Sequence, residues 1–448
     1  MKQVRRRLAA LVLPLFLWCA GCSSVNTNTE ALLVPPRAQG EEQDIQAALE
    51  DYIASAYGDS GAYKLKYPRA GEYRTAFIVE DFDSDGLQEA IAFYTSEKES
   101  GTVHLNLLRQ VDDEWRSVSD LPSDSSDVEQ VAITDTNGDG SKELFIGWSL
   151  YNSRDSQLSI YELEAEDLVE RYSTMYSYML VGDFTGSGRN DVLLLRTNGA
   201  DYQTTARLIS SQNGAMVERG SVPLDGYIQQ FGNATISRLT DTVTGVYIDC
   251  QKESGTLITE LIYWDGEQLV APFYTAADNA TTLTARESGI PSMDVDGDGR
   301  VEWPQSSRLP GAETAAASEV TMWLTRWYTY RYETQSVESK FYSLVNLNDG
   351  YYLLLDDAWI GQFTASYDAI DRSLSVQAVS GNVIGEELLE IRVAETGETG
   401  TEPGREYRQM TLKGSPLVYE VWYAQEGGLQ LNMEELMYRF TPLPSVLD

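Results

Sequence analysis

Histidine is almost absent from this chain. His104 is the single one in 448 residues, so a nucleophile–His–acid triad has one imidazole to build on and a multi-histidine zinc centre has too few ligands. Cysteine is nearly as scarce, with only Cys19, Cys22 and Cys250, which excludes a disulfide-stapled scaffold. Basic residues are outnumbered, 33 Lys+Arg against 69 Asp+Glu, for a formal charge of -36. The clustered cations that phosphate binding requires are therefore missing, and nucleic acid is excluded as a partner. The N-terminal apolar run covers only residues 8–18, against the about 20 residues a membrane span needs. Hydrophobic content of 42% and aromatic content of 10% are nonetheless those of a folded protein. The length corresponds to two or three domains of roughly 100–200 residues each.

The N-terminus reads as an export signal over residues 1–21. Lys2, Arg5, Arg6 and Arg7 precede the apolar run, and the small residues Ala20 and Gly21 precede Cys22. The segment resembles a bacterial lipoprotein signal, although Cys19 stands three residues before Cys22, where that family usually has Leu. The resemblance implies a lipid on Cys22, which becomes the mature N-terminus and anchors the chain to the outer face of the cell membrane. Cleavage by a conventional signal peptidase, leaving Cys22 free, is the alternative. Only Cys22 and Cys250 would then remain, and an acylated Cys22 leaves no intramolecular disulfide. Residues 22–40, small, polar and Pro-containing, read as a flexible tether.

Residues 41–58 carry Ile45, Leu49, Tyr52, Ile53 and Ala56 at helical spacing and are expected to form one amphipathic helix. Four segments then share an apolar run, an Asp-Gly-rich turn and a second apolar run, with turns beginning at Asp81, Asp135, Asp183 and Asp294. The first three are about 50 residues apart, and the wider last interval holds a degenerate copy near Asp241. About 25 residues beyond each turn comes a second hairpin, at 105–118, 158–172, 206–220 and 260–270, with the aromatic stretch 323–343 in the corresponding place of the last unit. Two hairpins per unit make four antiparallel strands. The expected fold is mainly β, a propeller of about five four-stranded blades over residues 70–343. Residues 345–448 are expected to be a smaller α+β domain of five or six strands with a short helix at 432–440.

The turns carry the only strong chemistry. Counting from the first Asp, the first turn places Asp81, Asp83, Asp85 and Glu89 at positions 1, 3, 5 and 9, with Gly86 at position 6. The last repeats this with Asp294, Asp296, Asp298, Glu302 and Gly299, and the second offers Asp135, Asn137, Asp139 and Glu143 with Gly140. Alternate oxygens on a tight turn converge on a hard divalent cation, and Gly permits the bend. The third turn, with Thr185, Ser187 and the adjacent Arg189, is expected to bind nothing, as is the Asp241 copy. By number of anionic ligands the first and last turns should bind most tightly and the second more weakly. Ala92, Ile146 and Gln305 stand where an EF-hand has its bidentate acid. The spacing instead resembles the calcium loops of integrin-type FG-GAP propellers and of bacterial VCBS repeat proteins. That resemblance implies a β-propeller binding Ca2+ in a structural role, acting as a non-enzymatic binding or assembly platform for an envelope protein or a glycan. FG-GAP-like propellers also occur in enzymes acting on polysaccharides, so a carbohydrate-binding or lyase-like role is the alternative. The GDSG at 58–61 lacks a strand-flanked elbow and a His partner, and Cys250 and His104 read as packing residues.

Overall fold

The computed structural model describes residues 40–58, 62–112, 114–311, 319–381, 383–394, 401–402, 404–425 and 432–444. Residues 1–39, over which an export signal, a lipid-bearing Cys22 and most of a tether are expected, lie outside the described residues. Among those described, no helix is long and apolar enough to cross a membrane.

Helix α1 (Glu41–Tyr57) buries Ile45, Leu49 and Ile53, spaced four residues apart on one face. It ends at Gly58, whose φ of 87° no β-branched residue would accept and whose N–H bonds to Ala54 O at 2.9 Å. Burial of three such side chains supplies roughly 5–9 kcal/mol before entropy.

Every sheet of the repeat region is antiparallel. The first contains β1 (Tyr63–Lys66), β2 (Phe77–Glu80), β3 (Glu89–Ser96), β4 (Val103–Val111) and β5 (Glu114–Ser123), with β1 and β2 lying end to end against β3. The second is β6 (Asp127–Thr134), β7 (Glu143–Ser149), β8 (Ser156–Glu164) and β9 (Asp167–Tyr176). The third is β10 (Tyr178–Gly182), β11 (Asp191–Asn198), β12 (Gln203–Gln212) and β13 (Ala215–Leu224). The fourth is β14 (Ile228–Arg238), β15 (Thr244–Lys252), β16 (Leu257–Trp264) and β17 (Leu269–Val270). The hairpins read from the sequence are thus the real ones, including that of the degenerate copy, where Thr240 Oγ1 accepts from the N–H groups of Thr242 and Val243.

Alternation explains why the inner strands are apolar almost throughout. On β7, Leu144, Ile146 and Trp148 pack against Ile91, Phe93 and Leu105 of the first sheet. The intervening Phe145 points the other way, to Val192, Leu194 and Ile209 of the third. On β11 the neighbours Leu193 and Leu195 meet Val246, Ile248 and Ile258 of the fourth. A strand buried on both faces needs apolar residues at every position. Consecutive sheets therefore stack face to face, and the first sheet's remaining face, with Ala90, Ala92 and Tyr94, is covered by Ile45, Leu49 and Ile53 of α1.

After a two-stranded hairpin, β18 (Tyr274–Thr275) and β19 (Ala280–Thr281), the fifth sheet departs from the pattern. Its strand before the Asp turn is reduced to a single bridge between Met293 and Glu302. The sheet continues through β20 (Glu302–Arg308), then, past β21 (Glu319–Thr321), through β22 (Trp323–Arg331), β23 (Ser336–Asn346) and β24 (Tyr351–Leu355). The sequence boundary at residue 345 falls inside the β23–β24 pairing. The rest of the chain forms β25 (Phe363–Asp368), β26 (Ser373–Ser380), β27 (Val383–Val393), the small hairpin β28 (Thr401–Glu402) and β29 (Arg405–Glu406), β30 (Arg408–Thr411), β31 (Val418–Tyr423), α2 (Met433–Arg439) and β32 (Phe440–Pro442). A six-stranded sheet runs β21-β25-β26-β27-β31-β30, while β32 returns to pair with β24 of the fifth sheet. Leu309, Met322 and Leu344 share one core with Phe363, Leu389 and Leu436 of this region. Asn432 caps α2, its Oδ1 accepting from Glu435 N at 2.9 Å.

Candidate metal centres in the acidic turns

All four Asp turns are closed by the same two hydrogen bonds. The position-1 carboxylate accepts from the position-6 glycine N–H: Gly86 to Asp81 at 3.1 Å, Gly140 to Asp135 at 3.0 Å, Gly188 to Asp183 and Gly299 to Asp294 at 2.8 Å. The position-9 acid reaches back to the position-2 N–H: Glu89 to Phe82 at 2.9 Å, Glu143 to Thr136 at 2.7 Å, Asp191 to Phe184 and Glu302 to Val295 at 3.1 Å. The position-6 glycines have φ between 78° and 97°, which a side chain would strain. Two acids of each turn thus shape the backbone whether or not an ion is present.

The turns also stand in a row. Ser84 Oγ of the first donates to Gly140 O of the second at 2.5 Å, Arg189 of the third donates to Asn137 O of the second at 2.6 Å, and Ser237 on β14 donates to Gly299 O of the last at 3.2 Å.

In three of the turns ligand oxygens converge to within 4.8 Å of one another: those of Asp81, Asp83 and Asp85, of Asp135, Asp139 and Glu143, and of Asp294, Asp296 and Glu302. Two full charges at that separation repel by about 3.5 kcal/mol at an effective dielectric constant of 20, so each cluster needs a cation or a set of donors. The donor set is all oxygen, as a hard divalent cation prefers, and the buried Oδ1 of Asp81 has no hydrogen-bond partner. These residues could hold a hard divalent metal ion. Burial pushes Glu89 and Glu143 above the ordinary carboxylate range, and Glu302 up to about 7. The third turn holds no such cluster, because Thr185 and Ser187 carry no charge.

Two expected ligands stand apart from the convergence. Glu89 divides its oxygens between Phe82 N and Arg109, and Asp298 turns to Arg300 N and Lys340.

Two donors that the turn spacing does not reveal, Arg109 and Lys340, and one that it does, Asn137, occupy the centres of the clusters. Arg109, directly opposite Glu89 in the β3–β4 register, places Nη2 2.8 Å from Asp83, 3.2 Å from Asp85 and 3.0 Å from Glu89. Lys340 on β23 places Nζ 2.7 Å from both Asp296 and Asp298 and 2.8 Å from Glu302. Burial disfavours the Lys340 ammonium, but the three carboxylates outweigh it and raise its pKa. In the second turn the donor is neutral, the Asn137 amide, with Nδ2 3.0 Å from Asp139 and 2.8 Å from Glu143. Rotating that amide would present its oxygen instead. Arg189, adjacent to the third turn in sequence, spends its guanidinium on Asn137 O rather than on its own Asp183.

Asp183 accepts from Ser187 N and Gly188 N at 2.9 and 2.8 Å and does nothing else among the described contacts. Asp183→Ala should therefore cost about 1–2 kcal/mol in denaturant unfolding, equally in calcium and in chelator. A cost that appeared only in calcium would make the third turn a metal site.

His104 and Cys250 are packing residues, and the GDSG of 58–61 lies, beyond Gly58, outside the described residues. His104 is buried, with Nδ1 2.8 Å from Asp120 and Nε2 3.1 Å from Glu99 and its ring stacked on Tyr94. Cys250 is fully buried and burial pushes its thiol up, the opposite of what a nucleophile needs.

No family model matches the sequence, and no curated protein is significantly similar to it. Solved structures that it resembles include the β-propeller domain of the Trilobed protease from Pyrococcus furiosus (9% identity, 82% of this chain and 99% of that one, TM-score 0.27). A rhamnogalacturonan lyase from Bacillus licheniformis is similar at 11% identity, over 70% of this chain and 74% of that one, with a TM-score of 0.30. Likenesses at that level leave the function to be argued from this chain's own residues.

Proposed function

We propose that the chain is a calcium-stabilised, propeller-like binding or assembly platform that works without catalysis and is held by lipid on Cys22 at the outer face of the cell membrane. The observation that carries the reading is the recurrence of converging carboxylates at one place in the first, second and fifth sheet units, in turns that touch their neighbours. Asp81, Asp83 and Asp85, then Asp135, Asn137, Asp139 and Glu143, then Asp294, Asp296 and Glu302 would hold the ions, with Glu89 and Asp298 joining once Arg109 and Lys340 move aside. Calcium supplies charge neutralisation there, tying strand to strand at the edge of each unit. The sheets stack in order, and α1 covers the face of the first sheet that looks away from the second, which supports an open array over a closed ring. The one imidazole, His104, is buried between Asp120 and Glu99, which makes it a packing residue in this reading.

The anchor rests on the order of basic segment, short apolar run and Ala20-Gly21-Cys22. Mass spectrometry of the membrane fraction should find a diacylated Cys22 as the first residue. An unmodified N-terminus at any other position would overturn it.

A second reading, glycan recognition, is favoured by one observation: a wide, tyrosine-lined cleft between the fourth and fifth sheets.

A further inference from the structure

The outer strand of the fourth sheet is cut short. In the first three sheets the last strand runs ten residues (β5, β9, β13), whereas β17 has two, Leu269 and Val270. The chain then leaves the sheet through Pro272 and Phe273. In the space so opened lies a cleft of about 730 Å³, within the range of about 300–1,000 Å³ that small-molecule sites occupy. Its walls are the β16–β17 turn, with Asp265, Glu267 and Gln268, and the end of β22 with the following turn, carrying Tyr330, Tyr332 and Gln335.

The floor is aromatic. Tyr263 and Tyr330 join hydroxyls at 3.3 Å, Tyr332 meets Tyr263 edge-on at 5.3 Å, and Phe273 packs on Trp303 at 4.7 Å. Leu283 and Val337, 39% and 37% exposed, leave apolar surface at the rim. Besides the tyrosine hydroxyls the polar groups are acids and amides, and no Lys or Arg is among the described residues that line the cleft. Asp265 is held by the N–H groups of Glu267 and Gln268 at 2.9 and 2.8 Å, so this wall is preset. Phosphate and uronate ligands find no counter-charge here and meet two carboxylates. A flat ring with an apolar C–H face and a rim of hydroxyls satisfies both the tyrosines and the amide and carboxylate groups.

We propose that this cleft binds an uncharged saccharide, with Tyr332 as the stacking surface and Gln268, Gln335 and Asp265 taking the hydroxyls. The inference rests on the glycan reading and is independent of the acidic turns.

The test uses calorimetry on the full chain with cellotetraose, mannotetraose and chitotetraose, and polygalacturonate as the anionic comparison. At least one neutral tetrasaccharide should bind, and Tyr332→Ala and Gln335→Ala should each weaken it tenfold or more, with an unchanged response to EDTA and, for the exposed Gln335, unchanged melting. Binding that survives both substitutions would overturn the cleft while leaving glycan recognition standing. Failure of all four probes at millimolar concentration would overturn both, and a preference for polygalacturonate would overturn the neutral-saccharide cleft while leaving glycan recognition standing.

Discussion

Calcium added at 2 mM to chelated protein should raise its melting temperature by about 4 °C from the second turn alone, with smaller additions from the two weaker clusters. The figure follows from mass action on the native state. With a dissociation constant of about 0.1 mM, typical of extracellular loops, the site contributes RT ln 21, about 1.8 kcal/mol, at roughly 2 °C per kcal/mol for a domain of this size. Counting carboxylates places the first and last turns ahead, with four acids each against three. Two protein cations already in place argue for the opposite order. Arg109 already sits among Asp83, Asp85 and Glu89, and Lys340 among Asp296, Asp298 and Glu302. Net charge is then alike in the three clusters, and only in the second does an ion enter without expelling a protein cation. Calorimetry should resolve one tighter event, abolished by Asp135→Ala, and two weaker ones abolished by Asp81→Ala and Asp294→Ala. An unchanged melt after EDTA, with no calcium in the purified protein, would remove the metal reading altogether.

The turns, the second hairpins and α1 were legible because each is specified locally. A position-6 glycine, a position-9 acid or a four-residue apolar spacing needs only its near neighbours in the chain. Arg109 and Lys340 were not legible in the same way. Arg109 follows Glu89 by 20 positions, and what brings the two together is the β3–β4 register, in which Glu89 faces Arg109. Lys340 comes from two strands away, across β22. A lysine among aromatic strand residues reads as a solvated edge until the sheet is assembled. The same distinction applies to the C-terminal region. GYYLLL has the composition of a strand, and composition does not say which sheet receives it. Its partner is β23, through Val345 opposite Tyr352 and Leu344 opposite Leu353. The cleft was hidden for a third reason, since it arises from a strand that stops early, and a missing strand leaves no motif.

Lys340→Gln should have opposite consequences with and without calcium. Without the ion, the substitution leaves Glu302, fully buried, beside Asp296 and Asp298 with no cation. Removing one partner of a buried ion contact costs about 3–5 kcal/mol. Asp296 and Asp298 are 29% and 42% exposed, however, and water screens them. Glu302 also keeps its bond from Val295 N, so a loss of about 2–3 kcal/mol is the expected outcome in EDTA. With calcium present the freed carboxylates become ligands: Asp298 can join Asp294, Asp296 and Glu302, no lysine has to be displaced, and affinity at this turn should rise tenfold or more. The deficit measured by denaturant unfolding in EDTA should then largely vanish in 2 mM calcium. Arg109→Gln should behave alike at the first turn, whereas Lys64→Gln, which removes the same charge from an exposed strand position, should change neither stability nor binding. If Lys340→Gln proved equally destabilising in both conditions, the lysine would be a permanent counterion standing in the metal's place. The fifth unit would then carry no calcium, and the ion-binding reading would contract to the first and second turns.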